Sequence, residues 1–157
     1  MWEWAASTAE CAGFERLVLV TRGDARSRAG WVTVCNDQPE EGLAGSIRIG
    51  VTAAQNADRI VIALADMPFV PKEHLVALAQ GDGVIFTAYP DGRRGIPAAF
   101  PPSAFDTLLS LSGDKGAAAL GFEQAVVIEA QGAGALLDVD TPADLERAQE
   151  LAGALDA

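Results

Sequence analysis

The chain alternates short apolar runs with amphipathic stretches, and this alternation predicts its strands and helices. Apolar runs rich in β-branched residues predict strands at 17–21, 31–35, 59–65, 84–87, 96–100, 125–129 and 135–139. Apolar side chains at helical spacing, together with helix-start residues, predict helices at 46–57, 71–80, 102–110, 115–120 and beyond Thr141. The continuous run at 59–65 is typical of a strand that is buried on both faces of a parallel sheet. The chain is therefore predicted to form an α/β, three-layer domain with a mostly parallel sheet.

The last helix has the clearest predicted start. Thr141 can cap it, Pro142 suits the first helical position, and Asp144 stands at the capping-box spacing from Thr141. Its apolar stripe follows in Leu145, Ala148, Leu151 and Ala152.

Composition and charge narrow the function classes. A chain of 157 residues, 50% of them hydrophobic and 21% charged, predicts one packed domain spanning residues 1–157. Because the chain has 22 acidic and 11 basic residues, it would repel a duplex nucleic acid or an anionic membrane at long range. The sequence contains no apolar stretch of the roughly 20 residues that a membrane span needs. We expect a cytoplasmic protein, with Cys11 and Cys35 as reduced thiols in the core.

The strongest candidate for chemistry is Asp66, which follows the apolar run at 59–65. Open α/β sheets bind ligands outside the carboxyl ends of their strands, where this carboxylate would reach a divalent cation. Pro68 restricts Met67 to extended geometry, which fixes the direction of Asp66. The alternative is that Asp66 only caps the following turn.

Asp138 and Asp140 form the second candidate. The two carboxylates alternate along an extended segment and should face opposite sides. One of them can join Asp66 around a metal ion while the other caps the last helix, and Mg²⁺ commonly takes one or two protein carboxylates. In the alternative reading both acids serve the helix N-terminus, where negative charge is favourable.

Three glycine-containing segments are weaker candidates for anion binding. The Gly-x-x-Gly-Ser pattern at 42–46 opens a helix, where backbone N–H groups can hold an anion, or it is a plain helix entry. Arg93 and Arg94 on a glycine turn suit a phosphate clamp, or form a solvated hairpin tip. Lys115 could meet a phosphate from the turn at 112–116, which could equally be a simple turn.

His74 is the only histidine, so a zinc site is not expected.

Five segments in order carry a resemblance to a known family. They are Asn36 with Glu41, Gly42 and Ser46; Ala-Asp-Met-Pro at 65–68; Gly92 with Gly95, Ile96 and Pro97; Gly-Asp-Lys-Gly at 113–116; and Asp-Val-Asp-Thr-Pro-Ala-Asp-Leu at 138–145. In this order they resemble the molybdenum cofactor cytidylyltransferases and the other MobA-like nucleotidyltransferases.

The resemblance implies a Rossmann-like nucleotidyltransferase fold and a Mg²⁺-dependent reaction. A nucleoside monophosphate would pass from a nucleoside triphosphate, CTP rather than GTP, to a phosphorylated cofactor such as molybdopterin, with release of pyrophosphate. The implied catalytic and metal-binding residues are Asp66 and Asp138. The implied nucleotide-binding residues are Asn36, Gly42, Ser46 and Asp66. The implied acceptor-binding residues are Gly95, Pro97, Gly113, Asp114 and Lys115.

The chain departs from the family at its start. Members of the family begin with a strand and a loop of the form Leu-Ala-Ala-Gly-x-Ser-x-Arg-x-Gly that cradles the triphosphate, whereas this chain opens with Met-Trp-Glu-Trp. The resemblance therefore implies an N-terminally truncated domain: a fragment, a mis-started gene product or a natural short homologue. We expect a homodimer, since a missing strand would expose a sheet edge.

Two further functions remain open at this point. The chain could be a non-catalytic module that binds the cofactor and delivers it to a molybdoenzyme partner. It could also transfer a nucleotide to another phosphorylated acceptor, such as a sugar phosphate.

Overall fold

Five α-helices and six strands make up the part of the chain that the computed structural model describes, residues 2–23, 26–113, 116–132 and 134–155. The helices are α1 (Trp2–Cys11), α2 (Gly42–Ala53), α3 (Lys72–Gln80), α4 (Phe105–Leu109) and α5 (Pro142–Leu155). The strands are β1 (Val18–Thr21), β2 (Val32–Cys35), β3 (Ile60–Ile62), β4 (Ile85–Ala88), β5 (Arg94–Phe100) and β6 (Val126–Glu129).

The strands form two sheets. β1 and β2 pair in parallel, and the other four strands form a sheet of order β3-β5-β4-β6. Within this sheet β4 and β6 are parallel, and β5 is antiparallel to both β3 and β4. It follows that β3, β4 and β6 point one way and only β5 is reversed. The predicted α/β fold with a mostly parallel sheet is confirmed.

Helices cover both faces of the four-stranded sheet. One core cluster packs α2 and α4 against the face that carries Phe86 and Phe100, whose rings meet edge to face at 5.7 Å. The other cluster packs α3 and the turns after β3 against the face that carries Ile85 and Ala99. Because neighbouring residues on a strand point to opposite faces, β4 and β5 supply both cores, and the domain has three layers.

Several local predictions need correction. Residues 135–139 form a turn followed by an extended segment without a strand partner in the described sheets. The helix predicted at 46–57 begins at Gly42 and ends at Ala53, and the one predicted at 115–120 is a short 3-10 turn at Ala117–Ala119. β3 has three residues and lies at an edge of its sheet with only Ile60 buried, so the burial expected on both faces is incomplete.

The cysteine prediction was wrong about burial. Cys11 and Cys35 are free thiols, as expected, but both are exposed because they stand at the ends of α1 and β2 and not within a core cluster. Among the described helices, none has the length and apolarity that crossing a bilayer requires.

Candidate active site

The carboxylate pair of Asp66 and Asp138 lies at the carboxyl end of β3. Asp66 stands in the turn that follows this strand. The backbone N–H of Val139 donates a hydrogen bond of 3.0 Å to the carbonyl oxygen of Asp66. This bond ties the segment before α5 to the turn after β3 and brings Asp138 beside Asp66, although 72 positions separate them along the chain.

The pKa values of both carboxyl groups of the pair are raised. Burial raises the pKa of Asp66, and the negative charge of Asp140 raises it further. Burial also raises the pKa of Asp138, with additional increases from Asp66 and then from Asp140 and Asp144. Desolvation and repulsion between like charges thus both oppose ionisation of the pair.

One atom of the pair lacks a partner. Oδ1 of Asp66 is buried and accepts no hydrogen bond from the protein. A buried carboxylate oxygen without a donor is costly, and a hard divalent cation satisfies such an oxygen directly. The residues present therefore fit a Mg²⁺-type ion. The described residues contain no group of three or more acids, histidines or cysteines placed to hold a metal, so water and substrate oxygens would complete the shell.

The cap of α5 leaves Asp138 available to the pair. Thr141 N–H donates to Oδ2 of Asp144 at 3.0 Å, and Asp144 N–H donates to Oγ1 of Thr141 at 3.2 Å. These two bonds form the predicted capping box. The Thr141 hydroxyl also donates to Oδ2 of Asp144 at 2.6 Å, and this bond, together with the one from the Thr141 N–H, lowers the pKa of Asp144. Since Thr141 and Asp144 cap the helix, the reading in which Asp138 and Asp140 serve the helix N-terminus finds no support among these contacts.

Tyr89 borders the carboxylate pair and was missed by the sequence reasoning. Its hydroxyl donates to the carbonyl oxygen of Ile96 at 2.6 Å and lies 3.8 Å from Sδ of Met67, the residue after Asp66. Burial raises the pKa of Tyr89, and the charge of Asp138 raises it further. The available signal was its position as the only tyrosine, just before the turn at 90–93.

Two candidate acceptor residues, Gly95 and Pro97, belong to this same region. Gly95 packs so closely on Tyr89 that a Cβ there would lie 2.8 Å from Cε2 of the ring. The carbonyl oxygen of Pro97 accepts a hydrogen bond of 2.5 Å from Oγ1 of Thr87, and the Pro97 side chain is fully buried. The backbone at 95–97 thus packs on Tyr89, whose hydroxyl also contacts Met67, the residue after Asp66.

The nucleotide-binding candidates form a separate cluster, the Asn36–Ser46 junction. Asn36 is 1% exposed, donates through Nδ2 to Oγ of Ser46 at 3.1 Å, and accepts through Oδ1 from the backbone N–H of Gln38 at 3.0 Å. Gly42 has a φ of 63° where the chain enters α2, a conformation that glycine adopts without strain. The polar groups of this junction bond to one another and tie the end of β2 to α2.

The loop that contains Gly113 lies against α2. Arg48 in this helix donates to the carbonyl of Leu111 at 2.7 Å and forms an ion pair with Glu41. A Cβ at Gly116 would come within 3.3 Å of Leu43. Asp114 and Lys115 lie outside the described residues.

The predicted arginine clamp is not formed by Arg94. Its guanidinium donates to the carbonyl of Phe122 at 3.0 Å and lies 4.7 Å from the ring centre of Phe86. Arg94 therefore stabilises the packing of residues 120–122 on β4. Arg93 is exposed and paired with Asp91 through a contact of 2.6 Å.

Comparison with known proteins shows which family the chain is similar to. Residues 1–128 match the MobA-like NTP transferase domain. The purine catabolism protein PucB of Bacillus subtilis is 35% identical over 122 residues, which are 72% of this chain and 58% of that protein. The chain thus spans less than two thirds of the curated relative's length. Asp138 lies beyond the matched domain span, so its assignment rests on the geometry and on the resemblance.

Solved structures share the fold over nearly the whole chain. The complex of Rv0371c from Mycobacterium tuberculosis H37Rv with manganese has a TM-score of 0.78 at 26% identity, covering 95% of this chain and 85% of that one. A nucleotidyl transferase from Methanothermobacter has a TM-score of 0.79 at 23% identity, covering 95% of this chain and 78% of that one.

Proposed function

The chain belongs to the MobA-like NTP transferase family, and from this membership and the carboxylate pair we propose a nucleotidyltransferase activity. The protein would transfer a nucleoside monophosphate from a nucleoside triphosphate to a phosphorylated small molecule. The acceptor phosphate oxygen forms a bond to the α-phosphorus, the bond from that phosphorus to the β-phosphate oxygen breaks, and pyrophosphate leaves.

The observation that carries the proposal is the unpartnered oxygen of Asp66 beside Asp138. Oδ1 of Asp66 is buried without a donor, and the charges of the two carboxyls repel each other. A divalent cation would coordinate the unpartnered oxygen and would offset the repulsion between the two carboxyl groups. When bound, such an ion supplies charge neutralisation for the phosphate groups. The manganese complex of the mycobacterial structure supports a divalent ion in this fold, and we propose Mg²⁺ for this chain.

The protein's own residues then have simple tasks. Asp66 and Asp138 hold the ion at the rim of the sheet. Tyr89 and the backbone at 95–97 form the wall beside it. Gly42 and the Asn36–Ser46 junction shape the entry to α2, from which helical N–H groups could meet the nucleotide. The transition state of this reaction spreads negative charge over the phosphate oxygens. Positioning of the reactants and stabilisation of that charge therefore provide most of the rate enhancement.

The finer assignment follows the sequence resemblance. We propose CTP as the donor and molybdopterin as the acceptor, in a cytoplasmic setting. Gly113 would then contact the acceptor from the side of α2, and Gly95 from the side of Tyr89, with the buried Pro97 fixing the backbone behind Gly95. The resemblance assigns Asp114 and Lys115 to the acceptor as well.

The test measures pyrophosphate release from CTP in the presence of Mg²⁺ and molybdopterin, with GTP in a parallel series. We expect Asp66→Asn to lower the rate by about 10²–10³-fold, because it weakens the charge stabilisation of the transition state. The matched control is Asp58→Asn, an exposed acid just before β3, which should leave the rate unchanged. Equal rates in the wild type and in Asp66→Asn would rule out the metal assignment.

A second candidate function is binding of the cofactor without turnover. It is favoured by the Asn36–Ser46 junction, whose polar groups are already satisfied by one another. Calorimetric titrations with CTP and with molybdopterin, each alone with Mg²⁺, separate the two functions. Binding of molybdopterin without binding of CTP would favour the second candidate.

A further inference from the structure

The pairing of β4 with β5 is interrupted next to Tyr89, the residue that borders the carboxylate pair. Phe86 pairs with Ala98, but the next residue, Thr87, pairs with Gly95, so Ile96 and Pro97 have no partner residue on β4. This is a bulge in β5. Bulges of this kind change the direction of a strand and are frequent next to active sites.

Two hydroxyl groups of β4 and the turn after it hold this bulge. Thr87 Oγ1 donates to the carbonyl oxygen of Pro97 at 2.5 Å, and Tyr89 Oη donates to the carbonyl oxygen of Ile96 at 2.6 Å. Residues two positions apart on an extended chain point to the same side, which is why both hydroxyls reach consecutive carbonyls. The bulge thus receives from side chains the donors that regular sheet pairing would supply.

The Thr87 bond is supported from behind by α3. Nε2 of His74 lies 2.7 Å from Oγ1 of Thr87, and both residues are buried. A hydroxyl has one proton, and here it points to the carbonyl of Pro97. In the tautomer that carries its proton on Nε2, His74 donates to Oγ1 of Thr87. The chain from His74 to Thr87 to Pro97 joins α3, β4 and β5.

The Tyr89 bond connects the bulge to the carboxylate pair. The Tyr89 hydroxyl lies 3.8 Å from Met67, and the ring fills the space directly above Gly95. A shift of this ring would move the backbone of 95–97 relative to Asp66 and Asp138.

We propose that Thr87 and Tyr89 are positioning residues that hold the 95–97 bulge in place, so that Gly95, its one partly exposed residue, contacts the phosphorylated acceptor beside the carboxylate pair. The inference rests on the proposed function for the identity of the ligand. The holding of the bulge by the two hydroxyls can be measured in the protein without any ligand.

The first measurement is amide hydrogen exchange at residues 95, 96 and 98. We expect Tyr89→Phe, which keeps the ring and removes the hydroxyl, to increase exchange there by about threefold to tenfold, the loss that one hydrogen bond produces. Thr87→Val should do the same and Thr87→Ser should restore the wild-type rate. The control is Thr52→Val, which removes a bond of 2.8 Å to the carbonyl of Arg48 on the surface of α2. Exchange in Tyr89→Phe equal to that in the control would overturn the proposal.

A glycine pair gives a second set of variants. Gly95→Ala places a methyl group 2.8 Å from the Tyr89 ring, whereas Gly121→Ala meets open space. We expect Gly95→Ala to reproduce the exchange of Tyr89→Phe and to shift the ring resonances of Tyr89, the only tyrosine in the chain. Gly121→Ala should change neither. Unshifted Tyr89 resonances in Gly95→Ala would contradict the close packing on which the proposal depends.

The second measurement places the bulge relative to the carboxylate pair without turnover. Bound Mn²⁺ should broaden the NMR amide signal of Gly95 in the wild type, and this broadening should decrease in Tyr89→Phe. With CTP, Mg²⁺ and molybdopterin, Tyr89→Phe should raise the KM for molybdopterin about threefold to tenfold and leave the KM for CTP unchanged.

The outcomes separate the two proposals. Broadening of Gly95 without any pyrophosphate release would overturn the proposed transferase activity while the placement of the bulge stands. Transfer by the wild type with an unchanged KM for molybdopterin in Tyr89→Phe would overturn the positioning role alone. No broadening of Gly95 by Mn²⁺ would overturn the placement of the bulge at the carboxylate pair.

Discussion

The carboxylate pair and the Asn36–Ser46 junction both stand where a strand ends, yet their polar groups are in opposite states. Asn36 follows β2, is buried, and uses both ends of its amide in hydrogen bonds within the protein. Asp66 follows β3, is half-buried, and leaves Oδ1 without a donor beside a second carboxylate. Burial of a polar group costs little when it is paired and much when it is not.

The difference separates a structural cluster from a site that needs a ligand. The side chains of the junction already have hydrogen-bond partners within the protein, so they do not need a bound molecule for their stability. The carboxylate pair gains from any cation that replaces the lost water. Perturbed carboxyl groups in an open position are typical of functional sites. The five predictions below test this contrast.

The largest expected effect is loss of metal binding with a gain in stability. In the Asp66→Asn/Asp138→Asn double variant, Mn²⁺ affinity should fall by at least about 100-fold, since carboxylates are the ligands that such ions require. The melting temperature without metal should rise by roughly 2–4 °C, because repulsion and desolvation of the charges disappear. Calorimetric titration and scanning calorimetry measure the two changes. A lower melting temperature would show that the pair stabilises the fold, as the Asn36–Ser46 junction does, and would contradict the contrast between the two regions.

The junction should respond in the opposite way. Asn36→Ala leaves the N–H of Gln38 and the hydroxyl of Ser46 without partners and should lower the free energy of unfolding by about 2 kcal/mol. Urea unfolding measures the loss, and Asn56→Ala, at an exposed position, is the control. Mn²⁺ affinity should remain within twofold of the wild type. A stable Asn36→Ala protein that has lost CTP binding would instead make Asn36 a ligand of the nucleotide.

The pH dependence of metal binding should reflect the raised pKa values of Asp66 and Asp138. Burial raises the pKa of both Asp66 and Asp138, so protons compete with the cation at pH values above those of ordinary carboxyls. Mn²⁺ affinity should fall as the pH is lowered through these raised pKa values, by up to about tenfold per pH unit for each proton bound. Calorimetric titration at several pH values measures this slope.

The same shifts have a consequence for the metal-free protein. A carboxyl with a raised pKa binds more protons in the folded state, so stability decreases as the pH rises from the ordinary value towards the raised one. This decrease should be absent from the Asp66→Asn/Asp138→Asn protein. An identical pH profile in both proteins would contradict the assignment of the shifts to the pair.

The smallest expected effect concerns the cap of α5, which follows Asp138. Thr141→Ala removes the hydroxyl that accepts from Asp144 N–H and should lower the free energy of unfolding by about 1 kcal/mol. Mn²⁺ affinity should also fall about twofold to fivefold, because the cap fixes the segment that carries Asp138. Ser103→Ala, at an exposed position before α4, is the control for both measurements. Unchanged affinity in Thr141→Ala would mean that the cap does not position Asp138.

The parts of the site that sequence reasoning predicted are those with local signals. The apolar run before Asp66 and the proline after it indicate a carboxylate at a strand end, and the Thr141–Asp144 spacing indicates a helix start. The structure confirms the capping box and places Asp138 beside Asp66. The capping box depends on residues three positions apart, which is the range over which sequence patterns are informative. The meeting of Asp138 with Asp66, 72 positions apart, was implied by the family resemblance and not by a local pattern.

The features that were missed depend on contacts between distant segments. The bulge at 96–97 results from a register offset between two strands. Pro97 inside the predicted strand at 96–100 was a signal for it, since a proline within a paired strand occurs at bulges, but the size of the offset depends on both strands. Tyr89 becomes part of the site only through that offset. Arg94 looked available for phosphate, but its carbonyl partner on Phe122 is 28 positions away. Residues 135–139 have strand composition but no strand partner in the described sheets, because they pair with the turn after β3 through Val139 instead.

The hydrogen bond from Val139 to Asp66 also sets an order of assembly. Every strand of the described sheets ends by Glu129, so the three layers can form before the segment at 138–140 arrives. During synthesis, most of the buried apolar residues would therefore be made before Asp138, and Ala148 of α5 would follow it. The carboxylate pair, and with it the proposed metal site, is therefore complete only when the segment before α5 has joined the turn after β3.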